Sequence, residues 1–263
     1  MATIAAQPAP IAQRLRRIQQ ALGVTADGML GPQTLSALER RLDVAPAARA
    51  FSLEVSGFSL DTLVGFEVSS QRVYEQRYRR PQWPGQSSGV TIGIGYDLGN
   101  TPKAQIRNDW TGWIADGDLN RLLTTQGVKG APARTLARSV SDITIPFDVA
   151  QTVFHQSTLP RFARITRSTY PGVQKLPADA QGMLLSLIYN RGPSLRGMRR
   201  VEMAAIKPLV LRGTAALGAI ADQIMQMARW WPDSPGLQQR RRTEAQIIRS
   251  AVHPYSVDEL IRV

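Results

Sequence analysis

The chain has 263 residues, enough for one full domain and a small one. Its hydrophobic content of 43% suits a packed globular protein, and the lack of cysteine excludes disulfides, thiolate metal sites and a cysteine nucleophile. A net charge of +12 predicts attraction to polyanions: nucleic acid, anionic lipid or an acidic bacterial envelope.

Residues 1–10 form an Ala/Pro tail without a basic start or a long apolar run, so no signal peptide is expected and synthesis in the cytosol follows. The most apolar long stretch, Ala204–Trp231, is broken by Lys207, Pro208, Arg212 and Asp222, which argues against a membrane span. The two histidines, His155 and His253, stand far apart in sequence. No metal site and no cofactor are expected, and His155 reads as a helix-face residue.

Residues 11–43 have a clear internal logic. Ile11, Leu15, Ile18 and Leu22 lie at helical spacing and Gly23 ends that helix. Thr25-Ala26-Asp27-Gly28 suits a turn. Gly31-Pro32-Gln33-Thr34 opens a second helix with Leu35, Leu38 and Leu42 on one side. The run Leu15–Gly23 followed by Asp27-Gly28-Met29-Leu30-Gly31-Pro32-Gln33-Thr34 resembles the peptidoglycan-binding module of many wall hydrolases. That resemblance implies wall binding by Asp27, Gly28, Gly31 and Thr34.

Residues 44–57 read as a linker, and a second domain is expected over 58–263. Leu60, Leu63, Val64 and Phe66 lie at helical spacing, with Ser59 a possible cap and Glu67 at the helix end. The polar, turn-rich stretch 68–88 reads as a loop or hairpin. In residues 89–97 Thr91, Gly93, Gly95 and Asp97 alternate with Val90, Ile92, Ile94 and Tyr96, a period of two that predicts one β-strand. A helix-end Glu facing a strand that carries Thr and Asp offers the two oxygen-based groups that glycoside hydrolysis needs. Helical patterns follow over 102–113, 116–126, 130–139, 146–168, 177–190, 199–212, 214–230 and 236–250. Pro146, Pro177 and Pro235 stand where helix starts are expected. Met183, Leu184, Leu187 and Ile188 are candidate core residues. The fold class expected is α+β and mostly helical, a small β region within a helical bundle, preceded by the all-α module.

Glu67, the segment Gly89–Gly99, the segment Ser186-Leu187-Ile188-Tyr189-Asn190-Arg191-Gly192 and, more weakly, Gly236–Glu244 resemble the phage-type lysozymes, and most closely their pesticin-like branch. The resemblance implies a lysozyme-like catalytic domain, and with the first module a modular phage endolysin. The implied activity is muramidase, the hydrolysis of the bond between N-acetylmuramic acid and N-acetylglucosamine in peptidoglycan. Glu67 is then the general acid, which must keep its proton near neutral pH, and an apolar neighbourhood of Leu63, Phe66 and Val90 favours that. Thr91 holds the attacking water and Asp97 orients it or stabilises the cationic transition state, with inversion if the acidic groups stand about 6.5–9.5 Å apart. Asn190, Arg191, Tyr96 and Gly93 line the substrate cleft. Classical phage lysozymes carry an Asp between the Glu and the Thr; this chain has only Glu75 there, a rival second acid whose neighbour Arg77 suggests a surface ion pair.

Trp110, Trp113, Trp230 and Trp231 suit core packing better than sugar stacking. Arg240-Arg241-Arg242 reads as an exposed helix face that helps bind an anionic envelope. The basic residues are scattered without interleaved aromatics, so nucleic acid is not the expected partner. The expected partner is peptidoglycan, for a monomer acting in the periplasm after release. Two other readings remain: a lytic transglycosylase, which needs one acid and leaves anhydro ends, and a wall-binding protein without activity.

Overall fold

The computed structural model describes residues 11–24, 26, 28, 30, 32–42, 52–68 and 70–263. The chain divides into two compact units, Met1–Ala50 and Phe51–Val263. Its described residues are mostly helical, with two small two-stranded sheets.

In the first unit, α1 (Ile11–Ala21) and α2 (Pro32–Arg41) form the expected helical pair. Its centre is polar. The buried Gln19 accepts the Gly28 N–H through Oε1 at 2.7 Å and donates from Nε2 to Thr34 Oγ1 at 2.8 Å. Gly28 has φ +84°, a turn conformation that side chains resist. Of the apolar residues at helical spacing, Ile18, Leu35 and Leu42 are exposed; among the described residues of this unit, Ala37 is the buried apolar one. Two short helices have too little surface to cover every side chain of this size.

The second unit begins earlier than the linker reading implied. Residues 54–56, read as linker, form β1 (Glu54–Ser56), with Leu53 and Val55 buried. Its antiparallel partner is the final strand of the chain, so the two ends of the unit are joined. Ser56 also starts α3 (Gly57–Val68): its Oγ accepts the Ser59 N–H at 3.0 Å, so the cap is Ser56 and not Ser59. Residues 68–88 are not a simple loop. They contain α4 (Gln71–Val73) and a π-helical turn over Tyr74–Tyr78, pinned by the buried Tyr74, whose hydroxyl donates to Ile145 O at 3.1 Å.

The expected strand over 89–97 is instead a tight hairpin, β2 (Thr91–Ile92) against β3 (Tyr96–Asp97), with Thr91 opposite Asp97 and Ile92 opposite Tyr96. Gly93 and Gly95 take φ +56° and +64°, which turns the chain back where alternation alone predicted extension. The helices then follow in the expected order: α5 (Lys103–Trp110), α6 (Asp116–Leu123), α7 (Ala131–Ser139), α8 (Phe147–Val153), α9 (Leu159–Thr169), α10 (Ala178–Arg191), α11 (Val201–Val210), α12 (Leu217–Gln226) and α13 (Pro235–Ser250). Ahead of α5, Thr101 Oγ1 donates to Asp97 O at 2.8 Å and so is not spent on capping that helix. Between α8 and α9 the helix widens into a π turn over Phe154–Thr158 that includes His155. Pro160 lacks an N–H and crowds the carbonyl four residues back, which disfavours an unbroken α ladder there. Strand β4 (Leu260–Arg262) closes the unit on β1.

Helix α10 is the axis of the unit. Every residue from Ala178 to Ile188 is buried, Met183, Leu184, Leu187 and Ile188 completely. Full burial of such a side chain contributes about 1.5–3 kcal/mol. The buried polar residues between Ala178 and Ile188 are partnered: Ser56 Oγ donates to Asp179, Gln181 accepts the Glu54 N–H at 3.0 Å, and Ser186 Oγ donates to Glu244 at 2.7 Å. At Gly182 a Cβ would stand 2.0 Å from Ser59 Oγ. The bare backbone there lets α3 lie against α10, which places Glu67.

Candidate active site

Glu67 lies in the last turn of α3. A carboxylate there faces the negative end of the helix dipole and needs a cation. Arg240 of α13 supplies it: Nη1 meets Glu67 Oε1 at 2.7 Å. The other Arg240 nitrogens are also used. Nε donates to Glu244 Oε1 at 3.2 Å, and Nη2 to Ser186 Oγ and O at 3.0 and 3.2 Å. Burial works against the Arg240 charge, but the carboxylates of Glu67 and Glu244 outweigh it and hold the guanidinium above its ordinary range. Leu63 and Val90 are buried as expected, but Phe66 lies under the Arg240 guanidinium at 4.8 Å. The group in contact with Glu67 is therefore a cation and not an apolar side chain.

The second oxygen, Oε2, has no hydrogen-bond partner among the described residues and faces the hairpin. A Cβ built on Gly95 would come within 3.3 Å of it and within 2.7 Å of the Tyr189 hydroxyl. Gly95 is exposed, so the carboxylate is reachable at this point. Tyr189 holds the hairpin loop by donating to Ile94 O at 2.7 Å. Burial, and after it the Glu67 charge, push its hydroxyl well above the ordinary tyrosine range, so it stays a donor.

Thr91 and Asp97 stand opposite each other at the base of the hairpin. Thr91 Oγ1 has one long contact, 3.5 Å to Gly89 O, and the residue is half-exposed. Asp97 is spent on the turn. It accepts the N–H groups of Gly89 (3.2 and 3.3 Å), Gly99 (2.8 Å) and Asn100 (3.2 Å), and the Asn100 side-chain amide at 2.7 Å. The crossing is tight, since a Cβ on Gly89 would stand 2.5 Å from Gly99 backbone. Asp97 therefore reads as a latch rather than as a carboxylate free to handle water. Glu75, the rival, is exposed and accepts from Gln71 Nε2 at 2.8 Å; it forms no ion pair with Arg77.

Two cleft residues named from sequence belong to the core. Tyr96 is 2% exposed and donates to Asp109 Oδ2 at 2.7 Å, with Trp110 edge-on at 5.4 Å. Gly93 is buried, and a Cβ there would meet Trp110 at 3.1 Å. Asn190 is exposed and accepts from Arg241 Nη2 at 3.2 Å; Arg191 lies over Trp231 at 4.7 Å. Trp113 is exposed, whereas Trp110 is buried. In the first unit, Gly28 and Thr34 serve the Gln19 network, while Asp27 and Gly31 lie outside the described residues.

The residue that sequence reasoning missed is Arg240. The triple arginine was read as a solvated face, but Arg240 and Arg241 are buried and only Arg242 is exposed. The available signal was the Arg240–Glu244 spacing of four, which puts a cation and a carboxylate on one helix face. Among the described residues, no group of three acidic or histidine side chains is placed to hold a metal ion, and no helix is long and apolar enough to cross a membrane.

A family described as a domain of unknown function (DUF8812) matches residues 62–169. The match takes in Glu67 and the hairpin and stops before Asn190 and Arg240. No curated protein matches the chain.

Proposed function

We propose that the second unit is a lysozyme-like glycosidase that cleaves the bond between N-acetylmuramic acid and N-acetylglucosamine in peptidoglycan, with Glu67 as its acid. The observation that carries this reading is the asymmetry of the Glu67 carboxylate. One oxygen is clamped by a saturated buried arginine, and the other is unpartnered beside a glycine-opened hairpin. A group that donates a proton to a leaving oxygen needs that fixed aim and that access. In this reading Thr91, whose hydroxyl has only one long contact, holds the water, and Asp97 holds the hairpin in register. The first unit, through its wall-binding resemblance, and the charge of +12 favour retention on an anionic envelope.

One observation favours a second reading. With Asp97 consumed by four N–H donors, a one-acid lytic transglycosylase fits the same site. Mass spectrometry of fragments released from purified peptidoglycan separates these. Reducing ends from the wild type and none from Glu67→Gln support the muramidase. Anhydro ends move the enzyme to the transglycosylases. No fragments from either protein, with both still pelleting with the wall, sink both enzymatic readings.

A further inference from the structure

Beyond Asn190 the chain gathers arginines around two indoles. The guanidinium of Arg191 lies 4.7 Å from the Trp231 ring, that of Arg199 5.8 Å and that of Arg241 6.0 Å. The charges are not matched. Arg229 pairs with the buried Glu202 at 2.6 Å, and both Glu202 oxygens already take the Trp230 indole N–H at 3.0 and 3.1 Å. Arg191, Arg199 and Arg200 have no carboxylate within ion-pair distance among the described residues. Arg191 donates to Arg199 O at 2.5 Å, Arg199 to Trp230 O at 2.7 Å and Arg200 to Met203 Sδ at 3.1 Å.

The donors left over are buried. Arg241 is 0% exposed, yet its Nε and Nη1 have no partner, and neither has Arg191 Nη1. An unpaired buried donor on a charged group is among the costlier defects a fold carries, and three beside one ring call for an acceptor. Burial first, and then the charges of Arg200 and Arg241, pull the Arg191 guanidinium down to about 10. A planar carboxylate answers this arrangement: its two oxygens match a guanidinium fork, and the indole offers a flat apolar wall. The position fits as well. Arg191 is two residues beyond Tyr189, which touches the loop that Glu67 faces.

We propose that Arg191, Arg199, Arg241 and Trp231 form a subsite for a carboxylate on the peptide stem of the wall glycan, which holds the strand beside Glu67. The choice of ligand rests on the peptidoglycan reading above; the carboxylate preference does not.

The test is a tryptophan-fluorescence titration of the full chain with an N-acetylmuramyl dipeptide, once with free carboxylates and once fully amidated. The acid form binds about tenfold tighter, the size of one charge-assisted hydrogen bond. Arg199→Gln, an exposed position whose unchanged circular dichroism reports intact folding, reduces that preference to about twofold or less. Equal binding of acid and amide overturns the subsite, as does a preference that survives in both Arg199→Gln and Arg191→Gln. Fragment release from peptidoglycan without an acid preference removes the subsite and leaves the glycosidase. An acid preference in a protein that releases no fragments keeps the subsite and removes the glycosidase.

Discussion

Arg240 and Arg241 are neighbours on one helix, both buried and both within reach of Glu244. Arg240 has a partner for every nitrogen, and two carboxylates hold its charge. Arg241 bonds only through Nη2, to Glu244 and Asn190. Its burial outweighs the help of Glu244, and the Arg240 charge adds to the penalty, so the guanidinium is held below its ordinary range. The same side chain at adjacent positions thus has a partner on every nitrogen in one case and unspent donors in the other. A saturated buried charge is a structural clamp; an unsaturated one marks a place where the fold keeps capacity for a ligand.

The sharpest way to break this contrast is to remove each arginine in turn. Arg240→Met leaves Glu67 and Glu244 without their shared cation and is expected to cost about 3–5 kcal/mol in urea unfolding. Arg241→Met removes a cation that was poorly compensated and is expected to cost about 1 kcal/mol or less by the same measurement. Equal losses would mean that the two arginines differ only on paper.

Gly95→Ala tests the access side of the clamp. The new Cβ meets Tyr189 and Glu67 Oε2 in a left-handed backbone conformation. Wall-fragment release is expected to fall about 100-fold, as a misplaced reacting group allows, while the far-UV spectrum is kept. Full activity in this variant would place the chemistry elsewhere.

Arg191→Gln tests the unsatisfied region for stability. The folded protein holds Arg191 at about 10, below the ordinary arginine range, so the unfolded chain binds that proton more readily and the charged side chain works against folding below about pH 10. The contribution of this group to wild-type stability therefore rises as pH climbs above about 10. At pH 7 Arg191→Gln is expected to melt no lower than wild type, and its pH dependence above 10 to be flatter. A clear loss of melting temperature would show that Arg191 is a structural prop.

An exposed pair gives the reference. The Arg121 guanidinium, 2.6 Å from Asp142, holds that carboxyl down at about 2. Its depressed value contributes stability above the ordinary aspartate range that is lost as pH falls towards 2; the slope has the same sign as for Arg191, but at pH 7 this pair favours the fold where the Arg191 charge opposes it. Asp142→Asn is expected to flatten this small acid limb in low salt and to change nothing in high salt, since solvent screens the pair.

Much of the helical part was legible in advance. Pro146, Pro177 and Pro235 marked three helix starts, and the apolar run of α10 marked the core axis. Glu67 was legible as a helix-end carboxylate beside a glycine-rich segment. The hairpin was not, because alternation over 89–97 is the same whether Gly93 and Gly95 extend or turn; positive φ at both is a choice made by Tyr189 and Trp110 packing around them. The partners of Tyr96 and Asp97 were hidden for a related reason. Their side-chain types suit a cleft, but Asp109 and the Gly99 turn claim them first.

By itself the sequence determined the order of the helices from α5 onward, the buried identity of α10 and the presence of one carboxylate at the end of α3, since these follow from local periodicity and capping. Only the tertiary structure decided which charges meet. Glu67 and Arg240 are 173 residues apart, β1 and β4 join the two ends of the unit, and the spent and unspent nitrogens of Arg240 and Arg241 differ by the neighbours that α3 and α10 bring to each. A hydrogen bond depends on position to a few tenths of an ångström, and that position is set by packing between elements, which no local pattern records.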